Sequence, residues 1–523
     1  MTLIVEGMTA TEYILALNNN FPSKDKITFS MLSEELISTF NSNYDYVKNI
    51  DVSIPARLNI NVGQRVYSFI QNINQNCKNI DDNQPYTKIE HSIELNRGSE
   101  YGMLLDINYE PSILRLENGA DLIGCLSRGG TTFNRENFNI IRNTDGVYSA
   151  PNLVGYDVST AGTFDSHGKA AYIEKDGIVY CFHEKLVGVS ATNSGGHNST
   201  IYVKKSEDGG ATWSYITSIG DNYAYPKVQI INGIFYLFVR GDSTISNCQY
   251  KISCYKSVDD CANWIELVNP YVTLYTTGSY FRSYHTILSG VDEINLVINE
   301  RNDTIGTYFP WPVVFHFRSY DGITYYNSDR SWSKNIVADG SITRAEAIEH
   351  CLISDHSHGD DYTAVFLGGF VKNDTLYSLV GYGATSAGTV TGTGYSKTTF
   401  QACTLYENFT ELIDLSSVIN GIIQEGYAAD TFLRLMRNGD TFDILNIDLK
   451  NNNDVKLYNY SSTALLSTKL LRTGETDNQK ITIGSQTRNA ITRSERIMVM
   501  GNVTGSMSDL YNSYTDLIIF ENK

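Results

Sequence analysis

Cysteine and proline are both scarce, with 8 of the first and 9 of the second in 523 residues. The cysteines stand at 77, 125, 181, 248, 254, 261, 351 and 403, too dilute for the disulfide scaffold of a small secreted domain, so reduced thiols are expected. Few prolines beside 41 glycines and 36 tyrosines favour many strands and tight turns over long helices. Basic residues are also in deficit. The 40 Lys and Arg against 58 Asp and Glu leave a net charge of −18, whose field repels nucleic acid and anionic lipid. Nucleic acid is therefore excluded as an expected partner. The opening of the sequence has neither a basic stretch before an apolar run nor a small-residue cleavage site, and no run approaches the roughly 18 apolar residues that cross a bilayer. Neither a signal peptide nor membrane insertion is expected. What is present is a 41% hydrophobic and 19% charged composition, enough for a packed core, on a chain long enough for several domains or one large repeat with an appendage.

Residues 1–105 read differently from the rest. Leu32, Leu36, Ile37 and Phe40 fall on one helical face, and Val62, Val66, Phe69, Ile70 and Ile73 repeat the pattern. The segment carries no chemical motif, so a small helical domain for attachment or oligomerisation is expected, or a helical cap on the next domain. From 106 to 523 a strand, turn, strand unit recurs. Its turns include Asn118-Gly119, Asp176-Gly177, Asn232-Gly233, Gly290–Asp292, Asn373-Asp374 and Asn438-Gly439, with a looser last copy over Ile497 to Phe520. Asn-Gly and Asp-Gly suit hairpin turns whose central residues need positive φ. Turn positions 118, 176, 232 and 291 stand 58, 56 and 59 residues apart. That period suits small antiparallel sheets stacked radially, an all-β propeller with seven blades favoured over six. The wider gap beyond position 291 is expected to hold an insertion that includes Tyr308 to Trp311.

Ser206-Glu-Asp-Gly-Gly-Ala-Thr-Trp213 fits the pattern S-x-D-x-G-x-T-W at every fixed position. Ser206 and Asp208 can satisfy the amides of a tight turn, Gly210 permits its backbone, and Trp213 is expected to be mostly buried between sheets. Ser257 to Trp264 is a degenerate copy, and Ser319 to Tyr325 a shortened one. These boxes read as structural rather than catalytic. In them the chain resembles the BNR or Asp-box propellers, a group that includes sialidases and ulvan-lyase-like polysaccharide lyases, over roughly 106–523. The lyase-like branch is the nearer resemblance, through Asp165-Ser-His167, the hairpin at Asp176-Gly177, His197, the box at 206, Tyr225-Pro226 and Arg240. His183 competes with His197 for the second histidine, because Ser190 to Asn198 reads as inserted. The sialidase reading is weakened at Tyr109-Glu110, which stand where an arginine would help clamp a sialic carboxylate.

The resemblance implies a propeller that cleaves a uronate-containing glycan by β-elimination, with His167 or His197 as base, Tyr225 as acid and Arg240 as carboxylate clamp. On the residues themselves, Arg282, Tyr284 and His285 suit contacts to a sugar ring, its hydroxyls or its carboxylate, and would equally suit a Tyr-rich sheet. His350, Cys351, His356 and His358 are zinc-ligand types, so a structural metal ion stays open beside the reading as solvated or hydrogen-bonded side chains, and no cofactor is required. A glycan-type propeller behind a helical appendage resembles a bacteriophage tail fibre or tailspike. That resemblance implies a homo-oligomer on the virion tail, partnered by polysaccharide and, through residues 1–105, by other virion proteins. A non-catalytic glycan receptor, a structural virion protein, a sialidase-like hydrolase, and an extracellular or cytoplasmic bacterial location are the alternatives.

Overall fold

The chain divides into two compact units, Met1–Gln84 with Thr492–Ser494, and Pro85–Ile491 with Glu495–Lys523. The computed structural model describes residues 90–94, 104–105, 112–129, 134–154, 170–186, 199–220, 223–241, 251–272, 275–276, 279–288, 293–302, 313–354, 362–372, 374–384, 397–415, 421–424, 433–438, 441–448, 454–461, 464–472, 480–484, 497–504 and 514–521. All belong to the second unit. The helices expected near 32–40 and 62–73 lie outside the described residues, as do His167, His197, His356, His358 and the aromatic stretch 308–311.

The second unit is an all-β propeller. Among the described residues its strands pair into seven sheets, each built largely from consecutive strands running back and forth, within the six or seven blades expected. The second sheet is Ala171–Lys175, Ile178–Leu186, Ser199–Ser206 and Ser214–Ile219, in that spatial order. The third begins with Tyr223–Ile231, Ile234–Gly241 and Lys251–Ser257, and the fourth is built on Ser279–Leu288, Ile294–Asn302 and Val314–Ser319. The seventh holds Lys480–Gly484, Ile497–Thr504 and Tyr514–Glu521, and its fourth strand comes from far earlier in the chain. Glu90–Glu94 pairs antiparallel with the last of these, Glu90 opposite Phe520 through Glu94 opposite Asp516. Leu104–Leu105 likewise joins the first sheet. Two strands from the N-terminal side of position 106 thus belong to propeller sheets.

Period-two alternation explains the stacking, because a strand covered on both faces must be apolar on both. Along Ile234–Gly241, Phe235, Leu237 and Val239 pack with Tyr180, Phe182 and Ile201 of the second sheet, while Tyr236 and Phe238 pack with Leu296, Phe315 and Phe317 of the fourth. Similar shared cores join the fourth sheet to the fifth, built on Tyr362–Lys372, Thr375–Ala384 and Lys397–Glu407, and the fifth to the sixth, built on Leu433–Asn438, Thr441–Asp448, Asp454–Tyr460 and Leu465–Arg472. The six described cysteines, at 125, 181, 254, 261, 351 and 403, are all buried.

Each sheet therefore has two ends. Turns such as Asp176-Gly177 and Asn232-Gly233 join the first strand to the second at the hairpin end, where Asp176 and Asn232 adopt φ of +53° and +51°. The segments 206–213 and 257–264 follow third strands and lie at that same end. There Ser206 Oγ accepts from the Gly210 amide at 2.7 Å, and Asp208 accepts from the Thr212 amide at 2.8 Å and its hydroxyl at 2.6 Å. In the second copy, Cys261 N donates to Ser257 Oγ at 3.0 Å, and Asn263 takes the part of Thr212, giving its amide N–H at 2.9 Å and Nδ2 at 2.7 Å to Asp259. Trp213 is half-buried rather than mostly buried, since it rims the contact of the first two sheets and donates Nε1 to Asn139 at 3.0 Å.

The stretch beyond the fourth sheet's third strand holds two short helices that the hydrophobic pattern does not reveal, Ile336–Asp339 and Arg344–His350. The second opens on a capping box in which Thr343 and Glu346 satisfy each other's amides.

Candidate functional site

At the far end, opposite the hairpins, first strands begin and second strands finish. Tyr225 is the third residue of its strand, and it departs from its surroundings in two ways. The register with the neighbouring strand shifts between Ala224 and Lys227, a bulge that takes Tyr225 and Pro226 out of the ladder. Its φ is +58°. Of the eight non-glycine residues with positive φ among the described residues, only Tyr225 lies inside a strand, the others falling in turns or bends. A bulky residue there is strained, and such strain gathers where a side chain must be aimed. The Tyr225 ring is turned over the guanidinium of Arg240, whose Cζ stands 4.4 Å from the ring centroid. Arg240 is the last residue but one of the adjacent strand and is only 2% exposed. The structure thus brings together two of the four expected catalytic residues, His167 and His197 lying outside the described ones.

The backbone of this bulge is held by a residue the sequence reading did not single out. Glu184 Oε1 accepts the Tyr225 N–H at 2.6 Å. Glu184 is fully buried on Ile178–Leu186, and alternation with Tyr180 and Phe182 turns it toward the third sheet. His183, its neighbour, follows Val179 and Cys181 on the other face, toward the first sheet. Its ring lies edge-on to Tyr202, with Nδ1 3.3 Å from the Glu184 carbonyl. Burial, with Lys204 nearby, holds it down to about 3, so it is neutral and turned away from Tyr225.

Glu184 also belongs to a tier. Counting from the start of the second strand, the seventh residue is Glu184 in the second sheet, Arg240 in the third and Glu300 in the fourth, and all three are buried. Glu300 accepts from the Tyr271 hydroxyl and from Arg344 Nε, the latter at 2.6 Å. The sequence signal was available as a charged residue at a fixed distance beyond each hairpin turn.

His285, expected at a sugar site, is buried between the third and fourth sheets. Its Nε2 lies 3.2 Å from the Phe238 carbonyl. Burial, reinforced by Lys227 and Arg240, holds it to about 3. A neutral imidazole facing a carbonyl carries its proton on that nitrogen, so Nδ1 presents a lone pair, and it has no hydrogen-bond partner among the described residues. Ser283 Oγ, two residues earlier on the strand, is also buried without one. Arg282 and Tyr284 lie on the same strand, but their side chains are outside the described set.

The four zinc-type residues are not assembled by what is described. His350 stacks on Trp332 at 5.0 Å, and Cys351 is buried in the core of the third and fourth sheets, where burial raises its thiol. No three side chains of metal-ligating type gather among the described residues.

No protein-family model matches the sequence, and no curated protein matches it either. Among solved structures the chain is similar to an α-L-arabinofuranosidase from Fusarium graminearum, with 11% identity and a TM-score of 0.40 over 82% of this chain and 98% of that one. It is also similar to a Penicillium chrysogenum α-L-arabinanase, at 10%, 0.38, 83% and 98% respectively. For a sialidase of Trypanosoma rangeli the values are 10%, 0.38, 83% and 59%.

Proposed function

We propose that the protein recognises an acidic polysaccharide at the far end of its second, third and fourth sheets and cleaves it by β-elimination. The observation that carries this reading is the strained bulge that lays Tyr225 over Arg240, because a fold spends backbone strain where a side chain must be aimed. In this reaction Arg240, buried beneath the Tyr225 ring, supplies the positive charge that stabilises the uronate as the neighbouring C5 proton leaves. The base taking that proton is His167 or His197, by the sequence resemblance. The C4–O bond then breaks, its electron pair leaves with the oxygen, the Tyr225 hydroxyl protonates that oxygen, and the C5 electrons form the C4–C5 double bond. Arg282, Tyr284 and His285 extend the site along the fourth sheet. Attachment to a virion tail as a homo-oligomer, with residues 1–105 docking on other virion proteins, belongs to the same proposal. A structural metal at His350, Cys351, His356 and His358 is not required by it.

The test is incubation of the full chain with uronate-containing polysaccharides, following the absorbance of the unsaturated uronate. Product from the unmodified chain, lost in Tyr225→Phe without unfolding, supports the reading. Tight binding without product would replace it by a glycan receptor, and new reducing ends without unsaturation would replace it by a hydrolase.

A further inference from the structure

Tyr225 has to be kept where its own backbone does not favour it. A bulky side chain disfavours φ of +58°, and Pro226 independently biases the residue before it toward an extended φ of about −120°. The bulge also removes the Tyr225 N–H from the strand ladder, so a buried donor needs another acceptor. Glu184 supplies it from a different sheet. The Glu184 side-chain oxygen accepts this N–H at 2.6 Å, a short hydrogen bond. The same sheet contact presents Glu184 fully buried, at the level of Arg240 in the next sheet.

We infer that Glu184 is a positioning residue, whose carboxylate holds the Tyr225 backbone in the turned conformation that lays the phenol ring over Arg240. Glu184 bonds the main chain, so its effect on a ligand is exerted through Tyr225. The inference deepens the proposed function and its activity arm rests on that reading, but the geometry it describes can be measured without any substrate.

The experiment places 3-fluorotyrosine at position 225 of the full chain and follows its fluorine resonance, with Arg240→Lys as the control that reports loss of the guanidinium over the ring. Glu184→Gln keeps an oxygen able to accept the N–H and is expected to leave the resonance near its original position. Glu184→Ala is expected to move it, and so is Glu184→Asp, which keeps the charge but is one methylene too short. An unmoved resonance in folded Glu184→Ala would overturn the inference, and if that variant fails to fold, Glu184→Asp decides in the same way. On a cleaved glycan, Glu184→Ala should lower kcat about a hundredfold with KM changed little, and Glu184→Gln should restore most of the rate, since misplacing a reacting group by about 1 Å has an effect of that size. Equal loss in both variants would also overturn it. If the resonance moves as expected but no glycan is cleaved by the unmodified chain, the proposed reaction fails and the positioning role stands.

Discussion

The two ends of the same sheets are built on opposite terms. At the hairpin end, positive φ is taken up by Asp176 and Asn232 beside glycines, and serine and aspartate side chains accept the turn amides of 206–213 and 257–264. Neighbouring sheets are also tied there. Arg318, 1% exposed, makes a paired contact to Glu293 and reaches the fifth sheet's turn at Asp374, which Arg330 also bonds. At the far end, strain falls on Tyr225 inside a strand and His183 is buried and neutral, while His285 and His316 are buried and neutral farther along their strands. The contrast teaches that one end is locally self-consistent while the other depends on contacts between sheets, which is where a site is expected to violate local rules.

Acid should test the comparison most strongly, because the histidines buried between sheets titrate in a different window from the turn carboxylates. A histidine near 6.5 in the unfolded chain and about 3 in the fold binds its proton only on unfolding, so its stabilisation is complete above pH 6.5 and is lost as pH falls toward 3. Each such group costs about 1.4 kcal/mol per pH unit within that window. Between pH 6.5 and 4.5, amide exchange should therefore rise around His183 and His285 before it rises in the turns 206–213 and 257–264. Simultaneous opening of both ends would erase the distinction. His285→Gln should flatten the acid dependence at neutral-to-mild pH.

Next in size is Arg318→Ala. It leaves Glu293, 5% exposed, with only the more exposed Arg330 at 3.0 Å, so the loss should fall at or below the low end of the roughly 3–5 kcal/mol typical of a buried ion pair broken from one side. Urea unfolding should show that loss while glycan cleavage by the folded fraction is unchanged. Tyr225→Phe should do the reverse, lowering product formation about 10²- to 10³-fold and stability by no more than about 1 kcal/mol. A large stability loss in Tyr225→Phe would place the phenol in the scaffold instead. Smaller again is Trp213→Ala. A fully buried tryptophan would cost about 3–5 kcal/mol, so the half-buried ring, with its bond to Asn139, should cost about 2–3 kcal/mol.

The same contrast explains what was legible in the sequence. Hairpins at 118, 176, 232 and 373 announce themselves because Asn-Gly, Asp-Gly and Asn-Asp are local signals, and the strands around them are apolar on both faces. The closing strand Glu90–Glu94 was not legible. Its sequence, Glu-His-Ser-Ile-Glu, holds one strong strand former, and its partner is Tyr514–Glu521 at the other end of the chain. The helix Arg344–His350 is concealed by its length, although Thr343 and Glu346 form its capping box. At the site, Tyr225 and Arg240 carried a family-type pattern, whereas Glu184 did not, since its role depends on which residue of another sheet lies opposite. His183 and Glu184 are adjacent on one strand, and in a strand one residue exchanges the two faces.

The smallest effect is expected at Asp208 and sharpens the comparison from the hairpin side. Slight burial opposes its ionisation, but hydrogen bonds from the Thr212 hydroxyl and amide and from Ser206 outweigh it and hold the carboxyl at about 2. A carboxyl near 3.9 in the unfolded chain therefore binds its proton first on unfolding, and the stabilisation is complete above pH 4 and fades between about pH 4 and 2. The side chain is exposed, so solvent screening limits the contribution to under about 1 kcal/mol. Asp208→Asn can still accept from the Thr212 amide but no longer titrates. It should match the unmodified chain below pH 2, fall slightly short of it at pH 7, and show no difference in slope above pH 4.5, where the buried histidines govern. A changed slope between pH 6.5 and 4.5 in this variant would mean that Asp208 is coupled to the histidine titrations, and the separation drawn from their construction would fail.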